Sequence, residues 1–146
     1  MSDALVVNEI FLSVQGESTF AGLPCIFVRL TACNLRCSYC DTAYAFTEGK
    51  KMSLAEIQTQ VLELARPFAT ERLSPADAAM REAVSLSTPH SALRTPHSTE
   101  PPYVGCSKLP LVELTGGEPL LQPNSLLFMT WLCDQGFTVL LETSGA

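Results

Sequence analysis

Positive charge is scarce in this sequence: nine lysines and arginines stand against fifteen aspartates and glutamates, for a net charge of −6. That balance excludes the basic footprint required by nucleic acid or an anionic membrane surface. Long apolar runs are missing as well, since none reaches the roughly 18 residues that span a bilayer. The opening Met1-Ser2-Asp3-Ala4-Leu5 lacks a basic segment leading into an apolar one, so no secretory signal is expected. Together these absences predict a cytoplasmic protein with no nucleic-acid and no membrane partner. What remains is an ordinary globular composition: 146 residues, 47% hydrophobic and 16% charged. Residues 1–146 therefore read as one domain with a buried core.

Glycine is missing from 50 to 104, while six of the ten prolines and both histidines fall between 75 and 110. Residues 68–110 read as a mobile insertion, because such composition buries too little surface to order itself. Ser74-Pro75 starts a short helix to about Val84, and His90 and His97 read as exposed loop residues rather than metal ligands.

Around the insertion the pattern alternates. Residues 5–12 read as a strand and 13–18 as a polar loop. Cys25–Thr31 is a β-branched strand with Ile26, Val28 and Leu30 on one face and Phe27, Arg29 and Thr31 on the other. Ser53-Leu54-Ala55-Glu56 is a capping box opening a helix over 54–65, which Pro67 stops. Residues 111–115 form a short buried strand, and Gly116-Gly117-Glu118-Pro119 a tight turn. An apolar helix through Met129–Leu132 ends at Gly136, and 137–143 is a third strand. This is the order of a parallel α/β sheet. Ligands gather at the carboxyl ends of such strands, which here carry Cys33 onward, Thr115–Glu118 and Glu142–Gly145. The last strand is expected at the sheet edge.

Six cysteines could make three disulfides, but a reducing compartment and their crowding argue otherwise. Cys25 and Cys133 lie in apolar surroundings and read as small core residues. Cys33, Cys37 and Cys40 fall within eight residues, at C-x3-C-x2-C spacing. The reading that suits three thiolates is an iron–sulfur cluster with one iron open to an outside ligand. Structural zinc, with Cys106 as a fourth ligand, a four-cysteine ferredoxin cluster and inert thiols stay open on the spacing alone.

Cys33-x3-Cys37-x2-Cys40 resembles the signature of radical S-adenosylmethionine enzymes, and Gly116-Gly117-Glu118-Pro119 resembles their GGEP motif. Phe11–Glu17, Gly22-x-Pro24, Phe27–Leu30 and Asp41-Thr42-x-Tyr44-Ala45 are similar to the 7-carboxy-7-deazaguanine synthase (QueE) family. The match is dense over 8–45 and thinner over 111–145, and Ser18 stands where that family favours glycine.

The resemblance implies an α/β fold: a partial, incomplete (β/α) barrel of radical S-adenosylmethionine type with about three core parallel strands. Members of the family continue beyond the third core strand, so a C-terminally truncated chain is expected. The implied reaction cleaves S-adenosylmethionine reductively to a 5′-deoxyadenosyl radical. That radical drives contraction of 6-carboxy-5,6,7,8-tetrahydropterin to 7-carboxy-7-deazaguanine with ammonia release. By resemblance, Cys33, Cys37 and Cys40 hold a [4Fe-4S] cluster, and Thr42 ligates Mg²⁺. Val14, Gln15, Gly16, Arg29 and Thr115 bind the pterin. Tyr39, Cys40, Asp41, Gly117, Glu118, Thr143, Ser144 and Gly145 lie along S-adenosylmethionine. No side chain is assigned as a protein acid or base. A flavodoxin- or ferredoxin-type electron donor and a homodimer are implied as partners. A radical activase acting on a partner protein and an inactive or zinc-binding fragment are the alternatives.

Overall fold

The computed structural model describes residues 3–69 and 109–145; the expected short helix at 75–84, both histidines, Cys106 and nearly all of the insertion lie outside the described residues. Among the described residues five strands form one sheet: β1 (Ala4–Val14), β2 (Pro24–Leu30), β3 (Lys50–Ser53), β4 (Leu111–Gly116) and β5 (Val139–Leu141). Their order is β3-β1-β2-β4-β5. The expected parallel core is present, with β2 beside β4 and β4 beside β5 running in the same direction. β1 and β3 are added antiparallel, and β5 lies at the edge among the described residues.

One face of the sheet is apolar. Ile26, Val28 and Leu30 of β2 and Val112 and Leu114 of β4 have no exposed surface, and Leu5 and Val7 of β1 extend the same layer. Among the described residues two helices cover it. Helix α1 (Leu54–Ala69) presents Leu54, Ile57, Val61 and Ala65, a period near 3.6 residues that forms one stripe. Its capping box is closed as the sequence predicts: Ser53 N–H donates to Glu56 Oε2 at 2.7 Å, and Glu56 N–H donates to Ser53 Oγ at 3.2 Å. Helix α2 (Asn124–Asp134) presents Ser125, Phe128 and Leu132. It ends where Gly136 takes a φ of +85° and donates to the Cys133 carbonyl at 2.9 Å.

Four expectations are corrected. Helix α1 does not stop before Pro67 but runs to Ala69, because a proline in the last turn forfeits a single i→i−4 bond. Cys133 is exposed, since it sits off the stripe that Phe128 and Leu132 bury. The third strand is three residues long, Val139–Leu141, not seven. Strand β3 was unexpected: Lys50-Lys51-Met52-Ser53 has little β propensity, and only Met52 is buried. Two lysines are nevertheless apt for an edge strand, where charge discourages further pairing.

Candidate functional site

The opposite face of the same strands is polar, and register builds it in rows. Phe11 of β1 lies opposite Phe27 of β2, which lies opposite Glu113 of β4. In the next row, Glu9 lies opposite Arg29, and Arg29 opposite Thr115. Period-two alternation puts these side chains on one side because their neighbours are buried on the other. Phe11 and Phe27 stack with ring centroids 5.2 Å apart and form an apolar floor. Arg29 Nε donates to Glu9 Oε1 at 2.8 Å, and the Tyr44 hydroxyl donates to the same oxygen at 3.2 Å.

A cleft of about 220 Å³ opens on this face. It gathers Gln15, Gly16, Arg29, Asp41, Thr42 and Thr115, residues from four separate segments of the chain. Gln15, Gly16, Arg29 and Thr115 are four of the five residues expected around the substrate, Thr42 is the expected Mg²⁺ ligand, and Asp41 was expected beside S-adenosylmethionine. Val14, the remaining expected substrate contact, is 59% exposed at the end of β1 and is not part of the lining. The loop leaving β1 is fastened at both ends, with Gln15 N–H on the Leu23 carbonyl and Gly22 N–H on the Gln15 carbonyl, each 2.8 Å. Ser18 adopts a φ of +64° there, a left-handed backbone that explains why glycine suits the position.

The cleft also holds glutamates to which the sequence reading gave no individual role: Glu113, and Glu17 and Glu142, which it named only within the Phe11–Glu17 match and the Glu142–Gly145 strand end. The Thr115 hydroxyl donates to Glu142, and the Gln15 amide donates to Glu113. Burial pushes the Glu113 carboxyl up, and the charges of Glu142 and Glu17 add to the push against the lowering effect of the Gln15 bond. With Asp41, four carboxylates surround one arginine that is already paired. A signal for Glu113 was present: its alternation with Val112 and Leu114 is the argument that placed Arg29.

At the neighbouring strand ends a second network closes. Glu118 is 1% exposed. Its Oε1 accepts from Leu120 N–H at 3.1 Å and from the Thr143 hydroxyl at 2.7 Å. Its Oε2 accepts from Ser144 N–H at 2.9 Å and from the Ser144 hydroxyl at 2.7 Å. Burial raises the carboxyl's proton affinity, yet these four donors outweigh it and hold the pKa down at about 2. Thus Glu118, Thr143 and Ser144, all expected beside the cofactor, are bonded to one another, and Gly145 N–H caps the Thr143 hydroxyl at 3.1 Å. Gly117 lies against the chain before the cysteines: a Cβ there would come within 2.0 Å of the Ala32 carbonyl oxygen.

Cys33, Cys37 and Cys40 are free, in one loop, with Cys37 exposed and the others half-buried. Leu35 N–H donates to Cys33 Sγ at 3.4 Å, and Cys40 Sγ lies 3.8 Å from Thr42 Oγ1, which joins the thiol loop to the cleft. Three thiols free of disulfides are a donor set that fits an iron–sulfur cluster. Among the described residues, no three His, Cys, Asp or Glu side chains are arranged to hold a metal ion. Tyr39 is 86% exposed. Cys25 is the expected core residue: burial, then the charge of Glu113, pushes its thiol up to about 12.

The 7-carboxy-7-deazaguanine synthase of Koribacter versatilis is 41% identical over 140 residues, covering 95% of this chain and 43% of that protein. That of Chlorobaculum tepidum is 38% identical over 141 residues, covering 97% and 44%. Over its matched length the chain is similar to the 7-carboxy-7-deazaguanine synthase family. It spans less than half the length of these curated relatives. No protein-family model matches it. The crystal structure of QueE from Escherichia coli superposes with a TM-score of 0.60 over 97% of this chain and 53% of that one, at 22% identity. The shared fold is consistent with a partial (β/α) barrel of radical S-adenosylmethionine type. Among the described residues no helix is long and apolar enough to cross a membrane.

Proposed function

We propose that this chain carries the reactive portion of a 7-carboxy-7-deazaguanine synthase, which contracts 6-carboxy-5,6,7,8-tetrahydropterin to 7-carboxy-7-deazaguanine with release of ammonia. The observation that carries this reading is the convergence of Gln15, Gly16, Arg29, Thr42 and Thr115 on one cleft beside the three thiols. When bound, the cluster on Cys33, Cys37 and Cys40 and S-adenosylmethionine supply the hydrogen abstraction.

The chain's own residues do the rest. Arg29 offers a guanidinium to the pterin carboxylate. Gln15, Gly16, Thr115 and the Phe27 ring line the cleft around it. The density of carboxylates makes a bare anionic substrate unwelcome, which favours a cation in the same space. Thr42 and the substrate's oxygens form a hard donor set for Mg²⁺, which takes few protein ligands and keeps water. Tyr39, Asp41, Gly117, Glu118 and Thr143–Gly145 lie along the cofactor in this reading, with Glu118 fixing the shape of that edge. Val14, outside the lining of the cleft, is assigned to the pterin by the family resemblance alone. A cytoplasmic homodimer and a flavodoxin- or ferredoxin-type donor belong to the same proposal.

Anaerobic reconstitution tests it, with about four irons per chain expected and loss of iron on Cys37→Ser. Reduced protein with S-adenosylmethionine, Mg²⁺ and the carboxytetrahydropterin is expected to yield the deazaguanine in a full-length homologue carrying these motifs. Zinc without iron or sulfide after reconstitution, or no product from that homologue, overturns the reading.

A further inference from the structure

Tyr44 stands two residues beyond Thr42, in the single 3₁₀ turn Ala43–Phe46 that follows the cysteine loop. That turn is lightly held. Ala45 N–H donates to the Thr42 carbonyl at 2.9 Å, Glu48 N–H to the Tyr44 carbonyl at 3.3 Å, and Ala32 N–H to the Ala45 carbonyl at 3.1 Å. Only Ala45 is buried in it. Yet the Tyr44 side chain reaches across to the sheet. Its hydroxyl donates to Glu9 Oε1 at 3.2 Å, and the Arg29 Cζ lies 5.8 Å from its ring centroid. Glu9 and Arg29 face each other on adjacent strands and are joined through Nε at 2.8 Å. One carboxylate oxygen therefore holds both the guanidinium of β2 and the phenol of the loop.

We infer that Tyr44 is a positioning residue that couples the capture of a carboxylate ligand at Arg29 to the order of the segment bearing Asp41 and Thr42. Because Glu9 occupies Nε, an incoming carboxylate meets the terminal nitrogens of the guanidinium. Drawing that group toward the cleft then acts on the Tyr44 ring and hydroxyl, and through them on the loop. The tether itself is independent of the proposed function; its response to ligand rests on that function.

Amide hydrogen exchange on the wild-type chain and on Tyr44→Phe separates the two. The variant keeps the ring but loses the bond to Glu9. Without ligand, exchange at Ala45 and Glu48 is expected to quicken about threefold to tenfold in the variant, the range of one ordinary net hydrogen bond at a partly exposed site. Exchange at Val28 and Leu114 in the sheet is expected to stay unchanged. Equal exchange at Ala45 and Glu48 in both chains overturns the tether, and so does a rise that includes the sheet amides, since that marks general loosening.

With 6-carboxypterin as the probe and unsubstituted pterin as its control, the wild-type chain is expected to bind the carboxylate form more tightly. Its Ala45 and Glu48 exchange is expected to slow on binding, while in Tyr44→Phe bound probe no longer slows them. Binding to the wild-type chain with no slowing overturns the coupling. Equal binding of the two pterins overturns the proposed role of Arg29 and the coupling with it, and leaves the unliganded comparison to decide the tether.

Discussion

Glu113 and Glu118 stand five residues apart, either side of the Gly116-Gly117 turn, yet the protein treats them oppositely. Glu118 is more deeply buried, and its charge is the better tolerated, because four donors from Leu120, Thr143 and Ser144 close on its two oxygens. Glu113 keeps a partly open position and, among the described residues, has one side-chain donor, the Gln15 amide, while Glu17 and Glu142 press on it. Burial raises the proton affinity of both; hydrogen bonding reverses the sign at Glu118 alone. The difference separates a structural clamp from a cleft. The clamp is satisfied from within the chain, whereas the cleft holds charge in excess of its internal partners, the condition in which a ligand or cation gains most by binding.

The comparison breaks most completely at the turn between the two glutamates. Gly116 has a φ of +123° and lies opposite Leu30, where a Cβ would come within 2.2 Å of that residue's carbonyl oxygen. Gly116→Ala meets backbone strain and a backbone clash together, so a loss of about 3–4 kcal/mol is expected in urea denaturation. Glu118→Gln comes next. An amide accepts through one oxygen and turns an NH₂ toward the donors of Ser144 or Thr143, so a loss of about 2–3 kcal/mol is expected. The same clamp sets an acid limit. Its folded-state pKa of about 2 lies below the ordinary 4.5, so its stabilisation is complete above 4.5 and is lost as pH falls through that value toward 2. Glu118→Gln is expected to flatten this acid limb of a stability–pH curve; an unchanged limb would place the acid sensitivity elsewhere.

Legibility followed the same division. The helix-covered face was readable because it is redundant: Ile26, Val28 and Leu30 alternate, Leu54, Ile57 and Val61 keep helical spacing, and Ser53 with Glu56 marks the start of α1. Each residue repeats its neighbours' message. Strand β3 carried no such repetition, with Met52 alone buried in four residues, and its pairing with β1 is a tertiary effect. The cleft was readable only where a motif named the residue, as for Gln15, Arg29, Thr42 and Thr115. Glu9 and Glu113 went unnoticed because their meaning lies in register: a glutamate in a strand has no local sign of what stands across from it. Pro67 and Cys133 misled for a related reason. Local chemistry forbade a helix at one and favoured burial at the other, and position within α1 and α2 decided both.

The smallest expected effect sharpens the comparison most, because its sign is opposite. Glu113→Gln keeps an oxygen to accept the Gln15 amide and removes one negative charge from beside Glu17 and Glu142. Since the folded state binds the Glu113 proton more tightly than the unfolded chain does, wild-type stability is eroded as pH rises through the carboxylate range. The variant has no such proton to lose. It is expected to be more stable than wild type at pH 8 by less than about 1 kcal/mol, with the difference shrinking as pH falls and Glu113 becomes protonated. Paired urea titrations at several pH values measure this directly. A wild-type chain that remains the more stable at pH 8 would mean that the bond from Gln15 to a full carboxylate outweighs burial and crowding. Glu113 would then belong with Glu118 as a satisfied group rather than with the cleft that awaits a ligand.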